Sequence, residues 1–179
     1  MLSIEKSFVL DSILGSWRTH LGEDFNADRN HCHRVLNFCI AFCGDSGETI
    51  NKVSIAAAFH DLGIWTNYTY DYLGPSKQLA REYLAKSNQG GWSDEIETMI
   101  DQHHKIRKFR TNPGWLVEPF RKADWIDVSR GGLRFGLPAA FVTEILAKFP
   151  NSGFHKRLVA LTMQRLKTHP FSPLPMMRL

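Results

Sequence analysis

Between residues 53 and 65 the chain reads VSIAAAFHDLGIW, and Val53, Ile55, Ala56, Ala57, Ala58, Phe59 and Leu62 put apolar or small side chains on every side of a helix. A helix with no polar face has to be surrounded by other elements. The rest of the chain supplies helices for that purpose. Its apolar residues recur at the helical period almost throughout, and no run alternates with the period of two that a half-buried strand needs. The pattern predicts an all-α, single-domain helical bundle over residues 1–179, built around a central buried helix at 48–61.

The surrounding helices follow from caps and breakers. The first is read over 3–21, with Phe8, Leu10, Ile13, Leu14, Trp17 and Leu21 inward and Gly22 ending it. The second starts after 26 or 28 and stops at Gly44. A loop is expected over 66–76, then helices over 76–87 and 93–108, the latter with Ser93 as N-cap and Asp94 and Glu95 in its first turn. Pro119 suits the first position of a helix over 119–130. Helices over 138–148 and 153–167 and an extended tail complete the chain. No repeat or linker marks a second domain.

With 43% hydrophobic residues the chain can build a full core. Its longest apolar runs fall short of the roughly 18 residues of a membrane span, and the N-terminus lacks the pattern of a secretory leader. Cys32, Cys39 and Cys43 crowd into one segment with no C-x-x-C pair, which predicts free thiols and a cytoplasmic setting. A formal charge of +4 does not point to nucleic acid, and the basic run Lys105, Arg107, Lys108, Arg110 reads as a helix C-terminus favoured by the dipole.

Chemistry enters where polar residues meet the core. His60 and Asp61 emerge at the end of the buried helix, and Asp is seldom fully buried unless it is paired or binds a cation. On a wheel of about 100° per residue, His31 lies about 60° from the inward face of the second helix, whereas His33 lies about 140° away and is expected in solvent. His103 sits within the face made by Ile96, Met99, Ile100 and Ile106, with His104 on its flank. Asp124 and Asp127 share one face of a later helix. Each of these, alone, is equally a satisfied core or surface residue.

In order, H-x-x-R-V at 31–35, A-x-x-H-D at 57–61, H-H at 103–104 and A-D at 123–124 resemble the HD-domain superfamily of metal-dependent phosphohydrolases. The resemblance covers about 24–130, leaving the C-terminal helices and tail at 137–179 outside the motif-bearing core. It implies that His31, His60, Asp61 and Asp124 bind one divalent ion. Two nitrogen and two oxygen donors suit Mn, Fe, Co, Ni or Zn. It further implies hydrolysis of a phosphomonoester or phosphodiester, of a small nucleotide by family breadth, through metal-activated water. His103, His104, Arg34 and Lys77 are then candidates for contacting the phosphoryl group, with Arg107 a weaker one. Tyr68, Tyr70, Tyr72, Trp65 and Trp92 are aromatic residues able to stack on a base or to cover the core.

The residues after the pair, Leu62, Gly63, Ile64 and Trp65, are not the acids that help activate water in some branches. No histidine lies between His60 and His103, and no G-Y-P motif follows, which favours one ion over the two of the phosphodiesterase and oxygenase branches. The alternatives are a metal- or nucleotide-binding regulatory module with weak turnover and, further off, a di-iron oxygenase.

Overall fold

The computed structural model describes residues 3–177, and among them every regular element is helical. In chain order these are α1 (Phe8–Ser16), α2 (Arg18–Leu21), α3 (Phe25–Cys43), α4 (Gly47–Phe59), α5 (Gly63–Thr66), α6 (Leu73–Lys86), α7 (Ser93–Gln102), α8 (Val117–Val128), α9 (Ala139–Lys148) and α10 (Phe154–Thr168). The long helix α3 lies against α8 and α4, and α4 is enclosed by α1, α3, α6 and α7. Every residue from Val53 to Trp65 is buried, as an all-apolar helix requires. None of the described helices is long and apolar enough to cross a membrane.

The N-terminal element is shorter than its periodicity suggests. The Ser7 hydroxyl accepts from the Leu10 amide and caps α1 there. Ahead of it, Ile4 is held by the Asn37 side chain, which accepts from its N–H and donates to its carbonyl. Phe8, expected inward, is 87% exposed. His33 also departs from its expected place: it is buried, its Nε2 lies 2.9 Å from Asp11 Oδ1, and its ring stacks on Phe149 at 4.9 Å. The solvent position expected for His33 is overturned: α1 and Phe149 at the end of α9 cover that face of α3.

Three boundaries shift because tertiary contacts supply or remove backbone partners. Helix α6 begins at Leu73, inside the expected loop, because α5 and α6 meet tightly: the Gly63 N–H donates to Ser76 Oγ, and a Cβ on Gly63 would stand 2.6 Å from the Tyr72 carbonyl. Helix α7 stops at Gln102 instead of running to 108. The Lys105 carbonyl accepts from Arg121 and Trp125 of α8, and the Phe109 amide that would have used it donates to Glu118. The basic run 105–110 is therefore a loop strapped to α8, not a helix C-terminus. Helix α8 in turn starts before Pro119, because Glu95 Oε1 accepts from the Leu116 amide. Ser93 lies inside α7, with Trp92 at the cap position. The three cysteines are free thiols. The tail is not wholly extended, since Pro175–Met177 forms a 3-10 turn with Pro175 and Met176 buried.

Candidate metal centre

Two helices and one helix end converge at the middle of the bundle. His31 comes from α3, His60 and Asp61 from the turn after α4, and Asp124 from α8, all buried. His31 Nε2 lies 2.9 Å from His60 Nε2, 3.7 Å from Asp61 Oδ2 and 3.5 Å from Asp124 Oδ1. His60 Nε2 is 3.4 Å from Asp61 Oδ2 and 3.8 Å from Asp124 Oδ1. Bonds of about 2.1 Å to a shared ion put neighbouring ligand atoms about 3.0–3.4 Å apart, in octahedral or tetrahedral arrangement respectively. The His31–His60 and His60–Asp61 separations lie close to such edges, while those from His31 to Asp61 and from both imidazoles to Asp124 are longer, at 3.5–3.8 Å.

The protons point the same way. Carbonyl oxygens only accept, so His60 Nδ1 donates to Ala57 at 2.7 Å and His103 Nδ1 to Ile100 at 2.6 Å. His31 Nδ1 is 2.6 Å from Asp127 Oδ2, a carboxylate that also accepts from Arg34 Nη2 and Nε. With each Nδ1 proton committed, the Nε2 lone pairs of His31 and His60 face one another. Asp61 Oδ1 and both Asp124 oxygens receive no hydrogen bond, although His104 Nδ1 lies 3.2 Å from Asp124 Oδ2. One extra proton on His31 would relieve one contact and leave these carboxylate oxygens bare. Buried acceptors without donors are costly, and a cation beside the two Nε2 atoms would satisfy Asp124 Oδ1, while Asp61 Oδ1 and Asp124 Oδ2 face His103 and His104. The residues present thus fit a divalent ion.

The surroundings set the charge states of the centre. Burial, with His103 and His31 nearby, pushes His60 down to about 4 against the pull of Asp61, keeping it neutral as a metal ligand must be. Burial opposes ionisation of Asp61, but His60, His103 and His31 outweigh it and hold the carboxyl well below its usual range. Burial likewise acts against Asp127, and the bonds to His31 and Arg34 win, bringing it down to about 2.

The remaining expected residues divide. His103 and His104 join Asp61 in a second group of ligand atoms able to hold an ion, with His103 Nε2 3.5 Å from Asp61 Oδ1. Asp61 therefore faces both groups, one oxygen toward each. The Tyr72 hydroxyl donates to His103 Nε2 at 3.3 Å. Arg34 needs correction as a phosphate contact: it is buried, and its guanidinium is taken up by Asp127 and the carbonyls of Phe149 and Pro150. Lys77 also departs from that role, its ammonium donating to Asp101 on α7 at 2.8 Å.

Two acids were not singled out as members of the site by the sequence. Asp127 orients His31, and its spacing of three from Asp124 was the available signal. Asp28, one turn before His31, is buried with Cys32 Sγ 4.0 Å from its Oδ2, and burial pushes its carboxyl up to about 7. Phe154 at the start of α10 closes the back of the centre, stacking on His31 at 4.0 Å.

Two cavities flank α10, separated by the hydrogen bond between Tyr70 and Thr162 at 2.9 Å. One, of about 480 Å³, has a mixed lining that includes His20, Asp24, Trp65, Tyr68, Arg157 and Arg165, with both Trp65 and Arg157 donating to Asp24. The other, of about 440 Å³, is lined by His104 and Tyr72 at one end and otherwise mostly by apolar residues. Comparison of the chain with protein-family models, with curated proteins and with solved structures finds no match. The helical fold and its buried His/Asp cluster are compatible with an HD-type domain.

Proposed function

We propose that the protein is a metal-dependent phosphohydrolase of the HD-domain type, cleaving a phosphomonoester or phosphodiester. The observation that supports this reading is the convergence of the His31 and His60 Nε2 atoms, 2.9 Å apart, with carboxylate oxygens of Asp61 and Asp124 3.4–3.8 Å from them in a buried site. His31, His60, Asp61 and Asp124 would hold the ion. An ion bound there supplies the acidity that makes water nucleophilic near neutral pH and the positive charge that polarises a phosphoryl oxygen.

The chain's own groups do the rest. Asp127 and the Ala57 carbonyl keep the His31 and His60 protons on Nδ1. Water oxygen bonds to phosphorus as the phosphorus–oxygen bond to the alcohol breaks, and the alcohol leaves with the proton the water gave up. His104 is the most exposed of the clustered side chains, at 16%, and is positioned to pass that proton on. The small nucleotide implied by the resemblance is one candidate substrate.

The test is metal analysis of the chelated and reloaded protein, with Mn, Fe, Co, Ni and Zn in turn, beside a panel of phosphomonoesters and phosphodiesters. Bound ion with turnover, both lost in Asp61→Ala and Asp124→Ala, is the expected result. Full occupancy in both variants would remove the proposal. Tight ligand retention without hydrolysis would instead favour a regulatory module. A second reading, a two-ion centre bridged by Asp61, is favoured by the group Asp61, His103 and His104. It predicts two ions per chain and loss of one in His103→Ala, and an oxygen-consuming reaction with iron would move it to the oxygenase class.

A further inference from the structure

Of the clustered side chains, His104 is the one with appreciable exposure. The side chains of His31, His60 and His103 are fully buried, and those of Asp61 and Asp124 nearly so. His104 bridges the two environments, with Nδ1 beside Asp124 and its ring in the wall of the 440 Å³ cavity. Tyr72 does the same, its hydroxyl on His103 and its ring in that wall. Beyond this polar end the cavity is lined mostly by apolar residues of α8, α10 and the C-terminal turn, among them Val128, Leu158, Val159 and Met163, with the Tyr70–Thr162 hydroxyl pair and without a lysine, arginine or carboxylate. Val159 and Met163 remain 63% and 53% exposed, an apolar strip that α10 leaves open.

A nucleoside monophosphate fits this groove poorly, because its ribose and base would meet a mostly apolar wall whose hydroxyl pair, Tyr70 and Thr162, already bond each other. The arginines that would suit a nucleotide's phosphate lie in the other cavity, and none of the clustered His and Asp residues lines that one. Resting on the hydrolase reading above, we propose that the groove seats the alcohol part of the substrate, and that this alcohol is an alkyl or aryl group rather than a nucleoside. Its ester oxygen lies toward His104 and its apolar body along α10 and the C-terminal turn.

The probe is a series of n-alkylphosphonates from methyl to octyl, which cannot release an alcohol, titrated calorimetrically into the metal-loaded full chain, with AMP as the comparison. Affinity should rise about threefold to fourfold per methylene until the groove is filled. Val159→Glu and Met163→Glu, both at exposed positions, should flatten the series while leaving metal content unchanged. A flat series in the parent protein, or AMP binding more tightly than octylphosphonate, overturns the proposal. So does a chain-length effect that tracks dimer formation, since a second copy would then be the groove's occupant. Hydrolysis of octyl phosphate is read in parallel: a rising series without turnover supports the groove and counts against the hydrolase, whereas turnover with a flat series does the reverse.

Discussion

Asp127 shows how a buried acid acts through its neighbours. It touches no candidate substrate, yet it fixes the His31 tautomer with one oxygen and takes the Arg34 guanidinium with both. Asp127→Asn removes the charge that offsets Arg34 and should cost about 3–5 kcal/mol in urea denaturation. It should also weaken metal binding by about 10–100-fold in a competition titration, as loss of an imidazole's partner does. Asp28 behaves oppositely. Its carboxyl, raised from 3.8 to about 7, keeps a proton in the folded protein that the unfolded chain has released. Between about pH 4 and 7 the folded state binds more protons, so this group's contribution to stability falls as pH rises and levels off above 7. In metal-free protein, Asp28→Asn should match the parent near pH 4 and exceed it progressively to pH 7, by at most about 4 kcal/mol. Denaturation curves at each pH check the sign.

Among the elements, the ends carry the information that periodicity lacks. The apolar pattern places α3, α4, α9 and α10 within a few residues, because those helices end at local signals: Ser46 caps α4, and Gly44 and Gly153 adopt positive φ beside α3 and α10. The ends that moved are governed from elsewhere in the fold, by Glu95 at α8, Glu118 and Arg121 at α7, and Asn37 ahead of α1. A single residue closes the turn that follows the His-Asp pair. Gly63→Ala would drive a methyl into the Tyr72 carbonyl and Ser76, and should cost about 1–3 kcal/mol by forcing α6 away. Since Tyr72 also donates to His103, the same variant should disturb ligand binding at the centre, visible as a shifted metal affinity.

For the whole molecule, the centre ties α3, the end of α4 and α8 together through one point. An ion bound only by the folded chain stabilises it by mass action, about 2.7 kcal/mol at a hundred times its Kd. In a chain of this size that raises Tm by roughly 5–10 °C. Chelation should reverse the rise, and Asp124→Ala should abolish it. The all-helical class, the buried α4 and the inward setting of His31 were legible in residues 25–62, because helical period and burial are local properties of a chain. Which residues His31 and Arg34 meet was not, since Asp127 lies about ninety residues away and nothing local distinguishes it from a solvated acid. The same holds for His33, read as solvent-facing from its own helix and buried by Asp11 of α1 and Phe149. Sequence alone determined the helical class and the burial of α4 and His31; the packing of α3 on α8 and α4, and of α1 and α9 over its other face, decided which side chains meet and that His33 is buried, because those contacts join segments that share no local signal.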